Sequence, residues 1–456
     1  MKKTIFFSVY DVHVFRNLFL PPDSVVRKLV LRGDHNIVIL RRSQVLPEFF
    51  SAEELKNMPH VVIENISYFR PKTRLERAFH FFYSYLVFTG TTKLLATVGD
   101  RLDAPPAGGN RHLWVIKWVI AHTFGKFNII KRNVVPWLYQ KIFTERPYKA
   151  LFDTHNPDLV FCSDIAHFPD IEIAAEAKRR NIKTAGMPSK WDHFNKYFVP
   201  VQTDVLAVQN EPMKKEAVKY EGYKSSEVDV VGFPQWDNYY GIERHVIQRD
   251  EFLKKMGMPG DSKVILFVSG SVYAADEPDI LQAISNQISK GFFGPSVRLL
   301  LRPYPQTSEK AKYLQFEQDQ NVFINWIDNT NSMDNFLHYV NMMYHADVVI
   351  SLFSTTAIEA AIFDKPVLTI GFDGYKKRPY HQSVRRWEDL AHFRHVLDTG
   401  SVKVIKSFPE LFAQIRAYLD DPGQDRELRK DLVDKMCYKI DGRSSERLAN
   451  FILQNA

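Results

Sequence analysis

The chain has 456 residues, 45% of them hydrophobic and 25% charged, with a formal net charge of +7. That composition suits two or three globular domains and excludes a fibrous, low-complexity or disordered chain. The positive balance fits anionic partners such as nucleotides or phospholipid headgroups, while the lack of a long basic block argues against nucleic acid.

The two cysteines, Cys162 and Cys437, have no metal-type spacing. They fit a reducing, cytoplasmic setting and argue against a disulfide framework or a zinc site. No uninterrupted apolar run reaches the roughly 18 residues needed to span a bilayer. The N-terminal apolar run is broken by Asp11, His13 and Arg16, so residues 4–9 read as a first strand rather than a signal peptide.

Helical spacing follows over 17–31, interrupted by Pro21-Pro22, and strands are predicted at 36–40 and 61–66. Residues 75–97 read as one long aromatic helix, 102–110 as a Pro- and Gly-rich loop, and 113–127 as another helix. Trp114, Lys117, Trp118 and Lys126 in the latter suit either packing on the sheet or a membrane surface. Strands at 158–162, 183–187, 204–208 and 228–231 alternate with helices at 171–180 and 211–221. Strand–helix alternation of this kind indicates an α/β domain with a parallel sheet.

Residues 236–262 are polar, contain Pro259-Gly260, and are predicted to be a linker. A second α/β domain opens with a strand at 263–269 ending in Gly270-Ser271. Further strands are predicted at 297–301, ending in Arg302, and at 322–325. The stretch 346–373, ADVVISLFSTTAIEAAIFDKPVLTIGFD, is a βαβ unit with hydroxyls where its helix begins. Ser354 and Thr355 there serve either as N-caps or as phosphate ligands, since free N–H groups and the positive end of the helix dipole meet at that point. A polar, basic loop over 375–395 includes His381, and helices are predicted at 409–419, 426–436 and 444–454.

Ligands of open α/β sheets bind beyond the carboxyl ends of the strands. In the second domain those ends hold Gly270, Ser271, Arg302, Ser354, Thr355, Thr356 and Glu359, with His381 nearby, a set suited to a nucleoside diphosphate. Helix dipole and Arg302 can neutralise a leaving diphosphate, so no metal and no cofactor are expected. Walker A, Gly-x-Gly-x-x-Gly, Gly-x-Ser-x-Gly and His-Glu-x-x-His patterns are all absent from the sequence. In the first domain Asp11, His13, Asp164, His167, Asp192 and His193 fall on strand ends, where a general base for an acceptor hydroxyl is required. Asp192, Asp11 and Asp164 are the candidates for that base. His13, Arg16, His167, Trp191 and His193 are the acceptor-side candidates.

The stretch 346–373 resembles the nucleotide-binding segment of GT-B glycosyltransferases and of UDP-N-acetylglucosamine 2-epimerases. Over nearly its whole length the chain is similar to bacterial surface-carbohydrate glycosyltransferase-like proteins, which share features with CDP-glycerol glycerophosphotransferases. The resemblance rests on Arg16-Asn17-Leu18, Leu75-Glu76-Arg77 with Thr91-Thr92, and Lys190-Trp191-Asp192. It continues through Asn210-Glu211, Gly232-Phe233-Pro234-Gln235-Trp236-Asp237, Arg302 to Pro305, His392-Phe393 and Asp441-Gly442-Arg443-Ser444. Tyr304 stands where the group often has His, and the first-strand loop lacks the glycine-rich turn of many GT-B enzymes.

The resemblance implies a GT-B fold of two Rossmann-like domains facing across a cleft. The expected boundaries are 1–235 for the acceptor side, 236–262 for the linker, 263–440 for the nucleotide-donor side, and 441–456 for a terminal helix packing back on the first domain. The implied activity is transfer of a sugar from a nucleotide sugar to a surface polysaccharide or a lipid-linked glycan. Peripheral contact with the inner face of the cytoplasmic membrane is an accompanying expectation. A UDP-sugar 2-epimerase, a CDP-polyol phosphotransferase and a non-catalytic nucleotide-binding protein of the same fold remain open.

Overall fold

The computed structural model describes residues 2–19, 23–42, 46, 50–97, 113–270, 273–304, 307–326 and 333–456. Two compact units emerge. The first comprises Met1–Lys93, His112–Tyr240 and Cys437–Ala456, and the second contains Gly241–Met436.

In the first unit the strands are β1 (Thr4–Val9), β2 (Asn36–Arg41), β3 (Val61–Asn65), β4 (Leu159–Cys162), β5 (Lys183–Gly186), β6 (Val205–Val208) and β7 (Val228–Val230). They form one sheet in the order β3-β2-β1-β4-β5-β6-β7, every pair parallel. Phe6 is in register with Val38 on one side and Val160 on the other. The second unit has β8 (Lys263–Val268), β9 (Val297–Arg302), β10 (Val322–Ile324), β11 (Val348–Ser351), β12 (Val367–Ile370) and β13 (Val402–Ile405). Their order is β10-β9-β8-β11-β12-β13, again all parallel. Strands covered on both faces must be apolar throughout, and β11 and β12 are buried at every position. Each unit is therefore Rossmann-like, with an α/β architecture.

Each order reverses once, between β1 and β4 in the first sheet and between β8 and β11 in the second. At such a point neighbouring connections leave in opposite directions and a crevice opens at the carboxyl edge of the sheet. Tyr10 and Asp164 follow the first pair of strands, and Gly270 and Leu352 follow the second.

Several predicted elements differ. The single helix over 75–97 is two, Arg74–Ser84 and Gly90–Thr97. The break lets the hydroxyls of Thr89 and Thr92 donate to the Asn195 carbonyl at 2.6 and 2.9 Å. It also leaves the Leu86 carbonyl against Gly125, where a Cβ would lie 2.2 Å from that oxygen. The predicted loop 102–110 lies outside the described residues. The boundary between the units, at Tyr240 and Gly241, falls within the predicted linker 236–262, and the stretch is structured: Trp236 is buried, and it carries the helix Arg249–Lys255 and two 3₁₀ segments, Pro234–Tyr239 and Ile242–His245. The basic stretch 375–395 holds 3₁₀ turns at Tyr380–Gln382 and Val384–Asp389, and strand β13 was not foreseen.

The last helix, Ser444–Asn455, belongs to the first unit. Asp237 accepts the backbone N–H groups of Ser444 at 2.8 Å and Ser445 at 2.6 Å, and Arg447 Nε donates to the Val231 carbonyl at 2.7 Å. Gly232 sits at φ 85°, and a Cβ there would lie 2.5 Å from Ser444 Oγ. The Gly232–Asp237 and Asp441–Ser444 motifs, far apart in sequence, thus form one joint. Replacing Asp237 with Ala is expected to destabilise the first unit by about 1–2 kcal/mol, the usual cost of losing a helix-start acceptor. Urea unfolding would show it as a lower midpoint, and an unchanged midpoint would remove the joint from any stabilising role.

Candidate functional site

In the first unit the loop after β4 carries Asp164, which is 1% exposed. The loop can lie over β5 because Gly186 has no side chain; a Cβ there would approach Ile165 Cγ2 to 2.4 Å. Asp170 Oδ2 accepts the backbone N–H of Asp164 at 2.6 Å and fixes the turn. Burial raises the Asp170 carboxyl to about 7. Asp164 Oδ2 accepts hydrogen bonds from Ser189 Oγ at 2.6 Å and from Tyr10 Oη at 3.2 Å. His167 Nδ1 lies 2.9 Å from the same oxygen, and His193 Nδ1 lies 3.4 Å from Oδ1. Three loops, those after β1, β4 and β5, the last holding both Ser189 and the turn at His193–Asn195, thus converge on one carboxylate.

Burial opposes the Asp164 charge, but the imidazoles of His193 and His167 and the Ser189 hydroxyl outweigh it and hold the carboxyl well below the usual range. Burial also opposes charge on His167; Asp164 outweighs it, so that imidazole is raised above its ordinary 6.5. His193 is more deeply buried, and burial wins, bringing it down to about 4. At neutral pH His193 is neutral, while His167 titrates with Asp164 behind it. The side chain of His167 is 42% exposed, so its ring reaches solvent. A proton on Nδ1 facing Asp164 leaves Nε2 as the acceptor, the arrangement a general base requires.

The candidates for the base separate accordingly. Asp164 is too weak a base to take a proton itself, and its place is to orient His167. Asp192 is paired with Lys196, whose Nζ is 2.5 Å from Oδ2. Asp11 is half-buried, and its charge reaches His167. Trp191 packs against the core, and Arg16 is exposed on the helix Val12–Leu18. His13 lies on that helix, with its side chain outside the described set. Tyr10 and Ser189 were missed by the sequence reading; their position directly after β1 and β5 was the available signal. Asp164, His167 and His193 also bring one carboxylate oxygen and two imidazole nitrogens within 4.8 Å of one another, a donor set a divalent cation could share. A search by cysteine spacing or His-Glu-x-x-His does not reveal it, because His193 comes from a different loop than Asp164 and His167.

In the second unit Arg302 ends β9, and its guanidinium carbon lies 4.4 Å from the centre of the Tyr339 ring. Its Nε is buried with no hydrogen-bond partner among the described residues. Tyr339 Oη donates to Glu359 Oε2 at 2.6 Å and also engages Thr356. Arg302, Thr356 and Glu359 are therefore drawn together through one tyrosine. The helix Thr356–Ile362 has Thr355 at its N-cap position, with no capping hydrogen bond from the side chain. The capping role the sequence left open to Thr355 is not the one adopted.

Two donor-side candidates are otherwise occupied. The N–H of Gly270 donates to Glu277 Oε1 at 2.6 Å, while Ser269 Oγ and Tyr313 Oη donate to Glu277 Oε2. Gly270 is required for packing, since a Cβ there would lie 2.8 Å from Leu352 Cδ2. Glu359 is buried and holds Tyr339. Ser271 lies outside the described residues. His381 sits on a 3₁₀ turn, and its carbonyl accepts from Arg386 Nη1 at 3.0 Å. Part of the basic loop's charge is taken up: Arg378 and Lys376 pair with Asp276, and Arg386 is fully buried.

A family model described as CDP-glycerol:poly(glycerophosphate) glycerophosphotransferase matches residues 190–454. The chain belongs to this family. The family segment takes in His193, Arg302 and the Ser354–Thr356 turn; Asp164 and His167 precede it. No curated protein matches the sequence. Among solved structures, a UDP-N-acetylglucosamine 2-epimerase from Listeria monocytogenes, designated putative, aligns over 100% of this chain and 96% of its own, with TM-score 0.54 at 12% identity. An S. aureus MnaA–UDP co-structure aligns over 99% and 96%, with TM-score 0.53 at 12% identity. A glycosyltransferase from Rickettsia africae ESF-5 aligns over 100% of both chains, with TM-score 0.51 at 11% identity. At such identities the likeness shows the fold, and the expected GT-B kinship and relation to CDP-glycerol glycerophosphotransferases are borne out.

Because Asp164 raises His167 against the pull of burial, the His167 ring proton should titrate by NMR with a midpoint above 6.5. Asp164→Asn removes the larger of the two carboxylate charges that oppose burial, leaving only that of Asp11, and should move that midpoint down. The sign carries over to stability. The pair's contribution is complete below the unfolded histidine value and is lost as pH rises through the raised one. An unmoved midpoint in the variant would dissolve the pairing.

Proposed function

We propose that the chain transfers a group from a nucleoside diphosphate-linked donor to a hydroxyl of a surface polysaccharide or lipid-linked glycan. The observation that carries this reading is Arg302: a strand-end guanidinium stacked on Tyr339, its Nε lacking a partner among the described residues, tied through that ring to the start of the helix Thr356–Ile362. A fixed planar cation beside a hydroxyl-rich turn suits a diphosphate. In this reading Arg302, Ser354, Thr355 and Thr356 hold the phosphates. Proton removal from the acceptor hydroxyl falls to His167 Nε2, with Asp164 fixing the ring and stabilising the imidazolium that forms.

Two donors fit this chemistry. A nucleotide sugar would lose nucleoside diphosphate as its anomeric C–O bond breaks. A CDP-linked polyol would lose CMP as its diphosphate P–O bond breaks. Membership of the glycerophosphotransferase family favours the second. The first is supported by neighbours of the same fold whose structures hold UDP or UDP-GlcNAc. In both, charge builds on a phosphate beside Arg302, and a hydroxyl proton must be removed.

Calorimetry with CDP-glycerol, CDP, UDP and UDP-sugars would rank the donors. Arg302→Ala should weaken binding of the preferred nucleotide by about 2 kcal/mol or more, roughly 30-fold. Equal affinity in wild type and variant would sink the phosphate assignment. His167→Ala should leave nucleotide affinity near wild type while lowering turnover by a factor of about 10² or more. A fall in affinity without a fall in kcat would place His167 outside the chemistry.

A further inference from the structure

In the first unit the segment from Trp114 to Trp137 reverses the usual polarity of a surface helix. Its first helix, Trp114–Thr123, buries Lys117 completely, with Nζ 4.6 Å from the centre of the Tyr85 ring. Trp114, Ile116 and Trp118 on the same helix are exposed instead. Beyond it Phe127 is 57% exposed, Ile129 67% and Trp137 59%. A helix bordering water turns its cations out and its tryptophans in. A row of exposed apolar groups this dense marks an interaction surface.

Charge identifies the partner. Between Asp103 and Glu145 the sequence contains no acidic residue. Lys126 and Lys141 are exposed within that span. Exposed apolar and aromatic side chains on a span that contributes two exposed lysines and no carboxylate of its own, with Glu227 from outside it ion-paired to Arg132, match the interface of an anionic bilayer, where indole rings sit at headgroup level. A second copy of the chain would set the same positive charges against each other. At about 1.5 Å per residue the ten-residue helix is about 15 Å long, half of a roughly 30 Å hydrocarbon core. Among the described residues no helix is long and apolar enough to cross a membrane. We infer that the Trp114–Trp137 segment docks the chain on an anionic lipid surface, lying in the interface rather than spanning it.

The test is co-sedimentation of the full chain with vesicles of phosphatidylcholine alone and of phosphatidylcholine mixed with phosphatidylglycerol. Wild type should sediment with the mixed vesicles, with a blue shift in tryptophan emission, and less so at high salt. Trp118→Gln combined with Trp137→Gln should lower the bound fraction by about five-fold or more. Lys126→Glu with Lys141→Glu should abolish the preference for mixed over neutral vesicles. All four positions are exposed, and unchanged far-UV circular dichroism and nucleotide affinity verify the fold independently. Three outcomes would overturn the inference: no sedimentation with mixed vesicles, equal sedimentation of the tryptophan variant, or self-association of wild type that the tryptophan variant abolishes.

Discussion

A parallel sheet whose strand order turns back leaves one gap at its carboxyl edge, and both units of this chain gather their polar chemistry around that gap. In the first sheet the reversal lies between β1 and β4, and the side chains just beyond them, Tyr10 and Asp164, are hydrogen-bonded to each other. In the second it lies between β8 and β11, with Gly270 packed on Leu352 beyond them and the Ser354–Thr356 turn immediately after. Strand pairing alone places these loops side by side. Their content differs, and so does their chemistry.

The first site is organised by a buried anion. Asp164 stays ionised because Ser189 and Tyr10 donate hydrogen bonds to it and the His167 imidazole beside it can carry the answering charge. A carboxylate so buried and left unpaired would be protonated or would destabilise the fold. The same field separates the two histidines: burial keeps His193 neutral, while Asp164 raises His167 at the solvent edge. The second site is organised by a cation. Arg302 rests on an aromatic face, and its Nε has no partner among the described residues, whereas Lys376 and Arg378 are neutralised by Asp276. A guanidinium held by stacking keeps its hydrogen-bonding edge for an anion.

Much of the fold was legible because parallel strands buried on both faces read as short apolar, β-branched runs. Residues 4–9 were bounded to the residue, and most other strands to within one or two. The long helix over 75–97 was misread because its apolar content is continuous. The break at 85–89 is imposed from outside, by the Asn195 carbonyl and by Gly125 against Leu86. The stretch 236–262 does hold the boundary between the units, but its polar composition hid the buried packing of Trp236 and Phe252 on either side of it. For the site, Asp164, His167, His193 and Arg302 were identifiable as strand-end residues, but their roles were not. Spacing cannot tell a base from the group that orients it.

The sequence by itself determined the two α/β units, most strand positions, and the hydroxyl-rich turn at 354–356, since these follow from local pattern and from chemistry within a few residues. Only the tertiary structure decided that Gly270 serves packing with its N–H given to Glu277, that Glu359 is held by Tyr339, and that Lys376 and Arg378 of the basic loop pair with Asp276. It also decided that Asp164 is buried and held ionised while His167 beside it reaches solvent. Each of these depends on which charges and apolar groups meet from distant parts of the chain, and on how far burial shifts their protonation. The Ser354–Thr356 turn gains its meaning in the same way, from the Arg302 and Tyr339 that the fold sets beside it.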